Sequence, residues 1–157
     1  MKIRILSPGK RMPAWMRTGY EDYAKRMPRD SRLELIELEA GQRSKKNYSV
    51  AAAIEAEGRQ FNKALNDKDY VVALDVQGKA LSTEQLSQRL AHWKQQGSDV
   101  AMLIGGADGL DAKLMASARE KISLSRLTLP HALVRVVLAE QLYRAASILS
   151  GHPYHRA

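Results

Sequence analysis

Apolar and polar positions along the chain repeat with two different periods. Ile3, Ile5 and Leu6 form a short apolar run that ends at Ser7-Pro8-Gly9, which predicts a first strand. From Ala14 to Arg26 a helical stretch carries Trp15, Tyr20 and Tyr23, and Met27-Pro28 stops it. Leu33, Leu35, Ile36 and Leu38 alternate with Glu34, Glu37 and Glu39, as in a half-exposed strand. The polar stretch GQRSKKN, Gly41 to Asn47, is a loop, and Val50 to Leu65 places Ile54, Phe61 and Leu65 at helical spacing.

The second half follows the same alternation. YVVAL (70–74) and VAMLI (100–104) are continuously apolar, as expected of strands covered on both faces. DVQGK (75–79) predicts a turn after the first of them. Ser82 and Gln85 form a capping-box pattern ahead of Leu86, Leu90 and Trp93, and Gly97 closes that helix. A short helix from Asp111 to Arg119, a connecting segment to Pro130 and a long apolar helix from His131 to Leu149 complete the order, followed by the tail GHPYHRA. Strands alternating with helices predict an α/β fold with a largely parallel sheet flanked by helices, in a single domain over 1–157. Ligands in such sheets bind beyond the carboxyl ends of the strands. The loops after Leu74, after Ile104 and around Ser125 to Leu129 are therefore the places for a site.

Charge narrows the partners. With 25 Lys and Arg against 17 Asp and Glu, the 157-residue chain carries a net charge of +8, which favours polyanions and above all nucleic acid. The same excess also serves solubility. There is no cysteine, which excludes disulfides, thiolate metal sites and cysteine nucleophiles. The opening MKIRILSPGKRMP has too short an apolar core for a signal peptide, and no run is long enough to cross a bilayer. The expectation is a soluble, cytoplasmic protein with no membrane partner.

LIGGADGL, Leu103 to Leu110, sets three glycines directly after an apolar strand. Glycines so placed let a backbone approach a ligand closely. A phosphate-binding P-loop needs Lys and then Ser or Thr after its last glycine, whereas Gly109 is followed by Leu110-Asp111. The dinucleotide fingerprint GxGxxG does not match Gly105-Gly106-x-x-Gly109, which also comes late in the chain. A tight strand-to-helix turn remains the plain structural alternative. Further on, His131 follows Pro130 at a helix start, Arg135 lies one turn later, and Glu140 with Arg144 has the spacing of an ordinary surface ion pair. A helix apolar on most faces needs cover, and a subunit partner is the simplest one.

VALDVQGK, LIGGADGL, SLSRLTLPHALVRVVLAEQLYRA and the ending HPYHR together resemble the RlmH family of bacterial ribosomal RNA methyltransferases, a minimal branch of the SPOUT methyltransferases. The resemblance runs from MKIRILSPGK to HPYHR in the same order. It implies an α/β sheet whose C-terminal segment threads a trefoil knot. It also implies transfer of a methyl group from S-adenosylmethionine to N3 of a pseudouridine in helix 69 of 23S rRNA, with the assembled 70S ribosome as substrate, a homodimer as the acting form and no metal. The cofactor positions it implies are Leu74, Gly105, Leu124, Ser125, Arg126, Leu127, Thr128 and Leu129. Apolar walls with free main-chain groups suit an adenine ring, and Gly105 suits a close backbone approach.

Methyl transfer to an imide nitrogen needs the N3 proton removed and the developing anion stabilised. His131 and Tyr154 are expected to position the base or handle the proton, and Arg156 to stabilise the anion or hold RNA. Lys10, Arg11, Arg17, Arg43, Lys45 and Lys46, with His155 in the tail, are the expected RNA contacts. Two rival readings are a non-catalytic RNA-binding factor, which leaves LIGGADGL and SLSRLTLPH without a task, and a flavodoxin-like nucleotide binder, which fails on the loop chemistry.

Overall fold

The computed structural model describes residues 1–44, 46 and 48–156. Five strands, β1 (Lys2–Pro8), β2 (Arg32–Leu38), β3 (Tyr70–Ala80), β4 (Val100–Ile104) and β5 (Glu120–Ser123), form one sheet in the order β2-β1-β4-β3-β5. Every pairing in it is parallel. The helices are α1 (Ala14–Ala24), α2 (Val50–Ala64), α3 (Thr83–Gln96), α4 (Ala112–Ser117) and α5 (His131–Ser150).

The two-residue period of a strand divides the core between the faces. Ile3, Ile5, Val72, Val100, Met102 and Ile104 point to one side and pack under Tyr20 of α1, Leu90 and Trp93 of α3, and Leu138 and Leu142 of α5. Leu6, Ala101 and Leu103 point to the other, under Phe61 of α2 and Leu114 of α4. The central strands are therefore apolar at every position because both faces are covered. The Ser82–Gln85 capping box forms as expected, and Gly97 ends α3 at φ 76°.

Two expectations are corrected. The connecting segment before Pro130 contains β5, whose one deeply buried apolar side chain, Ile122, is too little for a sequence pattern. Its position comes from tertiary contacts: Glu120 accepts hydrogen bonds from Arg89 at 2.9 and 2.8 Å and from the Trp93 indole at 2.8 Å. Residues 75–79 do not turn the chain away either. Leu74 and Lys79 both pair with Ile122, so the residues between them bulge from a strand that then resumes. At Gly78 a Cβ would lie 2.8 Å from the Ile122 backbone, which explains the glycine.

Part of α5 is covered within the chain. Leu138, Ala139, Leu142, Ala145 and Ala146 are buried by the chain itself. Leu133, Val137 and Ile148 remain half-exposed, and Leu149 is exposed.

Candidate functional site

Beyond the carboxyl ends of β4 and β5, beside the bulge in β3, lies a cavity of about 970 Å³, lined by Leu74 and the bulge after it, the glycine loop and the segment Leu124–His131. Its walls include Leu74, Val76, Ile104, Leu110, Met115, Leu124 and Leu129. The glycine loop folds on itself. Gly109 sits at φ 87° and its N–H donates to the Gly106 carbonyl at 3.2 Å. A Cβ on Gly105 would come within 2.7 Å of the Gly109 carbonyl carbon, so this glycine is required by the turn behind it. On the opposite wall the Leu127 N–H donates to Ser125 Oγ at 2.9 Å, and the Ser123 hydroxyl donates to the Ser125 carbonyl at 3.0 Å. These bonds shape an otherwise irregular segment whose Leu127 side chain is 74% exposed.

His131 enters the cavity from the first turn of α5, directly after Pro130. Its Nε2 lies 3.3 Å from where a Cβ on Gly9 would be, so the end of β1 and the start of α5 meet here. Burial, and then the adjacent Arg135 cation, hold the His131 pKa below the ordinary imidazole value. Arg135 itself is 1% exposed. Its Nε donates to Ser7 Oγ at 3.1 Å, Nη1 to Glu37 at 2.8 Å, and Nη2 to the Pro8 and Gly9 carbonyls at 3.0 and 2.9 Å. One guanidinium thus satisfies the carbonyls that β1 leaves unpaired as it exits the sheet.

The family model described as "Predicted SPOUT methyltransferase" matches residues 1–155. The chain belongs to the SPOUT methyltransferase family. Proteins named ribosomal RNA large subunit methyltransferase H are similar to it over their whole length. That of Saccharophagus degradans is 53% identical, covering 99% of this chain and 100% of the relative. That of Chromohalobacter salexigens is 51% identical over the same shares. That of Xanthomonas oryzae is 50% identical over the whole of both chains. A solved structure described as a "probable methylase family protein" from Haemophilus influenzae has the same fold at a TM-score of 0.59, with 12% identity, covering 99% of this chain and 70% of that one.

Within this SPOUT chain the expected cofactor positions converge, with one exception. Leu74, Gly105, Leu124, Ser125, Leu127, Thr128 and Leu129 line the cavity, whereas Arg126 does not. The tail is the larger departure. Tyr154 packs on Tyr143 at 4.6 Å and on Tyr23 at 6.5 Å, against the middle of α5. Tyr143 lies twelve residues along α5 from His131, about 18 Å at the helical rise, and none of Tyr154, His155 and Arg156 lines the cavity of its own chain.

The expected RNA contacts divide as well. Arg11 and Lys46 are exposed, and Lys45 lies outside the described residues. Lys10 is paired with Glu39 at 2.7 Å, and Arg17 with Glu37 at 3.0 Å. Arg43 is turned inward: Nε donates to Asp108 at 2.7 Å, Nη1 to Glu57 Oε2 at 2.7 Å, and Nη2 to Glu57 Oε1 at 3.2 Å. Sequence reasoning missed Glu57 and Asp108. A signal for Glu57 was present, since it falls on the apolar stripe of α2 between Ile54 and Phe61.

Among the described residues no three His, Cys, Asp or Glu side chains cluster as a metal site would require, and no helix is long and apolar enough to cross a membrane.

Proposed function

We propose that this methyltransferase uses S-adenosylmethionine to methylate N3 of a pseudouridine in helix 69 of 23S rRNA on the assembled 70S ribosome. The proposal includes a homodimer, a cytoplasmic location and the knotted C-terminal threading that the sequence resemblance implies. The observation that carries it is the convergence of seven of the eight expected cofactor positions on one cavity at the carboxyl ends of β4 and β5 and the bulge of β3. Relatives about half identical over full length, each named for ribosomal RNA, support the substrate. The +8 charge supports a polyanionic partner.

The cavity fits the cofactor. Its volume lies within the range of roughly 300–1,000 Å³ typical of small-molecule sites. Leu74, Leu124 and Leu129 offer apolar walls to an adenine ring, while the glycine loop, tightened by the close approach of Gly105 to Gly109, offers main-chain groups. When bound, S-adenosylmethionine supplies an electrophilic methyl carbon and requires no metal.

The chain's own residues supply orientation and proton handling. N3 of the acceptor loses its proton as it takes the methyl group. His131, unprotonated at neutral pH because burial and Arg135 disfavour its cation, has a ring nitrogen free to accept that proton. Arg156 is the cation for the developing anion, and Tyr154 positions the base. Since neither lines the cavity of its own chain, they act in the cavity of the second protomer of the homodimer. Arg11 and Lys46, with Lys10 and Arg17, hold the phosphates.

The test is methylation of purified ribosomes with labelled cofactor, followed by mass spectrometry of the modified nucleoside. N3-methylpseudouridine is the expected product. Calorimetric binding of S-adenosylmethionine without any methylation would favour another substrate, and absence of binding would favour a non-catalytic RNA-binding factor.

A further inference from the structure

The glycine loop is held from below by a carboxylate. Glu57 of α2 is 2% exposed, and a buried carboxylate is tolerated only when paired and hydrogen-bonded. Its partners come from outside its own helix: the Gly41 N–H donates to Oε2 at 2.9 Å and Arg43 grips both oxygens. The glycine loop rests directly on this group. A Cβ on Gly106 would fall 2.9 Å from Glu57 Oε1, so the loop sits at its observed height only with glycine there.

Arg43 then bridges upward. Its Nε donates to Asp108, which belongs to the glycine loop and lines the cavity. Its Nη1 also donates back to the Gly41 carbonyl at 3.1 Å. The planar guanidinium matches two carboxylates at once, a geometry that a lysine ammonium cannot reproduce. Bonding to Glu57 first, and to Asp108, raises the Arg43 pKa further above its usual value, so the cation persists at any accessible pH. Without Arg43, two carboxylates would face each other across a loop that has no side-chain packing of its own at positions 105, 106 and 109.

We propose that Arg43 is a positioning residue and not an RNA contact: with Glu57 and Asp108 it forms a clasp that holds the glycine loop in its cofactor-binding shape. The clasp rests on the reading of the cavity as the S-adenosylmethionine site. It also joins that loop to the basic loop that follows Gly41, so a grip on Lys46 by RNA and occupation of the cavity bear on one guanidinium. Energetic coupling between two such sites is reciprocal.

The experiment is calorimetric titration of S-adenosylmethionine into RNA-free protein. Arg43→Ala is expected to weaken binding by tenfold or more, and Arg43→Lys to restore only part of it. Asp108→Asn, on a partly exposed side chain, keeps the test valid if Arg43→Ala does not fold, and is expected to weaken binding severalfold. The double variant Arg43→Ala/Asp108→Ala is expected to be little worse than Arg43→Ala, because both act through one clasp. In turnover, Arg43→Ala raises KM for S-adenosylmethionine while kcat at saturating cofactor stays near the parent's. Unchanged cofactor affinity in folded Arg43→Ala, with a raised KM for ribosomes and a shallower salt dependence, would make Arg43 a phosphate contact and overturn the clasp alone. A parent protein that binds no S-adenosylmethionine would overturn the reading of the cavity and the clasp with it.

Discussion

The phenolic O–H of Tyr154 donates to Glu140 Oε1 at 3.2 Å, which folds the C-terminal tail back onto the middle of α5. Arg144 completes the clamp. It donates to the same carboxylate oxygen at 2.6 and 2.9 Å and to the Tyr154 carbonyl at 3.3 Å, and its guanidinium lies 4.9 Å from the centre of the Tyr154 ring. Burial first, then bonding to Tyr23 and the charge of Glu140, push the Tyr154 phenol up, so it stays protonated. The pair that looks like an ordinary surface ion bridge in the sequence therefore has a defined task. It presents the tail rigidly, away from the cavity of its own chain.

Complementation between protomers follows from that separation. Homodimers of His131→Ala, and homodimers lacking residues 154–157, are each expected to be inactive on ribosomes. Mixed and re-equilibrated, they should recover roughly a quarter of parental activity, since half the dimers carry one intact composite site of two. The truncated protein should keep its S-adenosylmethionine affinity within about tenfold, or about 1.4 kcal/mol. No recovery on mixing, with dimers confirmed by light scattering at micromolar concentration, would refute a site shared between chains.

Gly105 should tolerate no side chain. A Cβ there meets the Gly109 backbone at 2.7 Å, which is backbone against backbone and cannot be relieved by a rotamer change. Gly105→Ala and Gly105→Val are expected to reduce S-adenosylmethionine affinity by more than tenfold while the circular dichroism spectrum is retained. Parental affinity in the folded variants would place the cofactor elsewhere.

The depressed pKa of His131 gives a pH dependence with a definite sign. Between its folded value and the ordinary 6.5, the unfolded chain binds a proton that the folded chain does not. This contribution to stability is therefore fully present above about pH 6.5 and is lost as pH falls through the folded value. Urea midpoints at pH 7.5 and 5.5 should fall further for the parent than for His131→Asn. The acid limb of the methylation rate should likewise lie below pH 6.5, and a limb above it would exclude His131 as the proton acceptor.

Arg135 should matter for stability first. Arg135→Ala leaves the Ser7 hydroxyl and the Pro8 and Gly9 carbonyls without their donor, beside a partly exposed Glu37. A loss of about 3 kcal/mol is expected, at the low end for breaking a buried ion pair because Glu37 retains some solvent. In a chain of this size that lowers Tm by on the order of 10 °C. Arg135→Lys should recover little, because one ammonium cannot reach the hydroxyl, the carboxylate and both carbonyls. A thermal scan that shows no change would remove this role.

Much of the architecture was legible because the signals are local. A strand covered on both faces has to be apolar at each position, which marked β3 and β4, and Ser82 with Gln85 marked the start of α3 through bonds spanning three residues. Seven residues of the cavity lining were legible through the order of motifs along the whole chain. β5 was not, because a four-residue edge strand with one deeply buried apolar side chain resembles a loop until Arg89 and Trp93 are seen to hold Glu120.

By itself, then, the sequence determined the alternation of strands and helices, the place of the glycine loop at a strand's carboxyl end, the basic charge and the membership of a methyltransferase family. These depend on periodicity, on glycine's missing side chain and on motif order, all of which can be read along one dimension. Tertiary structure alone decided which charges are spent inside the molecule. Arg43 and Lys46 lie in the same basic loop, yet Arg43 faces Glu57 and Asp108, which are distant in sequence, while Lys46 faces solvent. It also decided that Tyr154 folds back onto Glu140, Tyr143 and Arg144, outside the cavity that His131 lines. Direction and distance in a rigid helix follow from its length, but the elements packed at each end are chosen by folding.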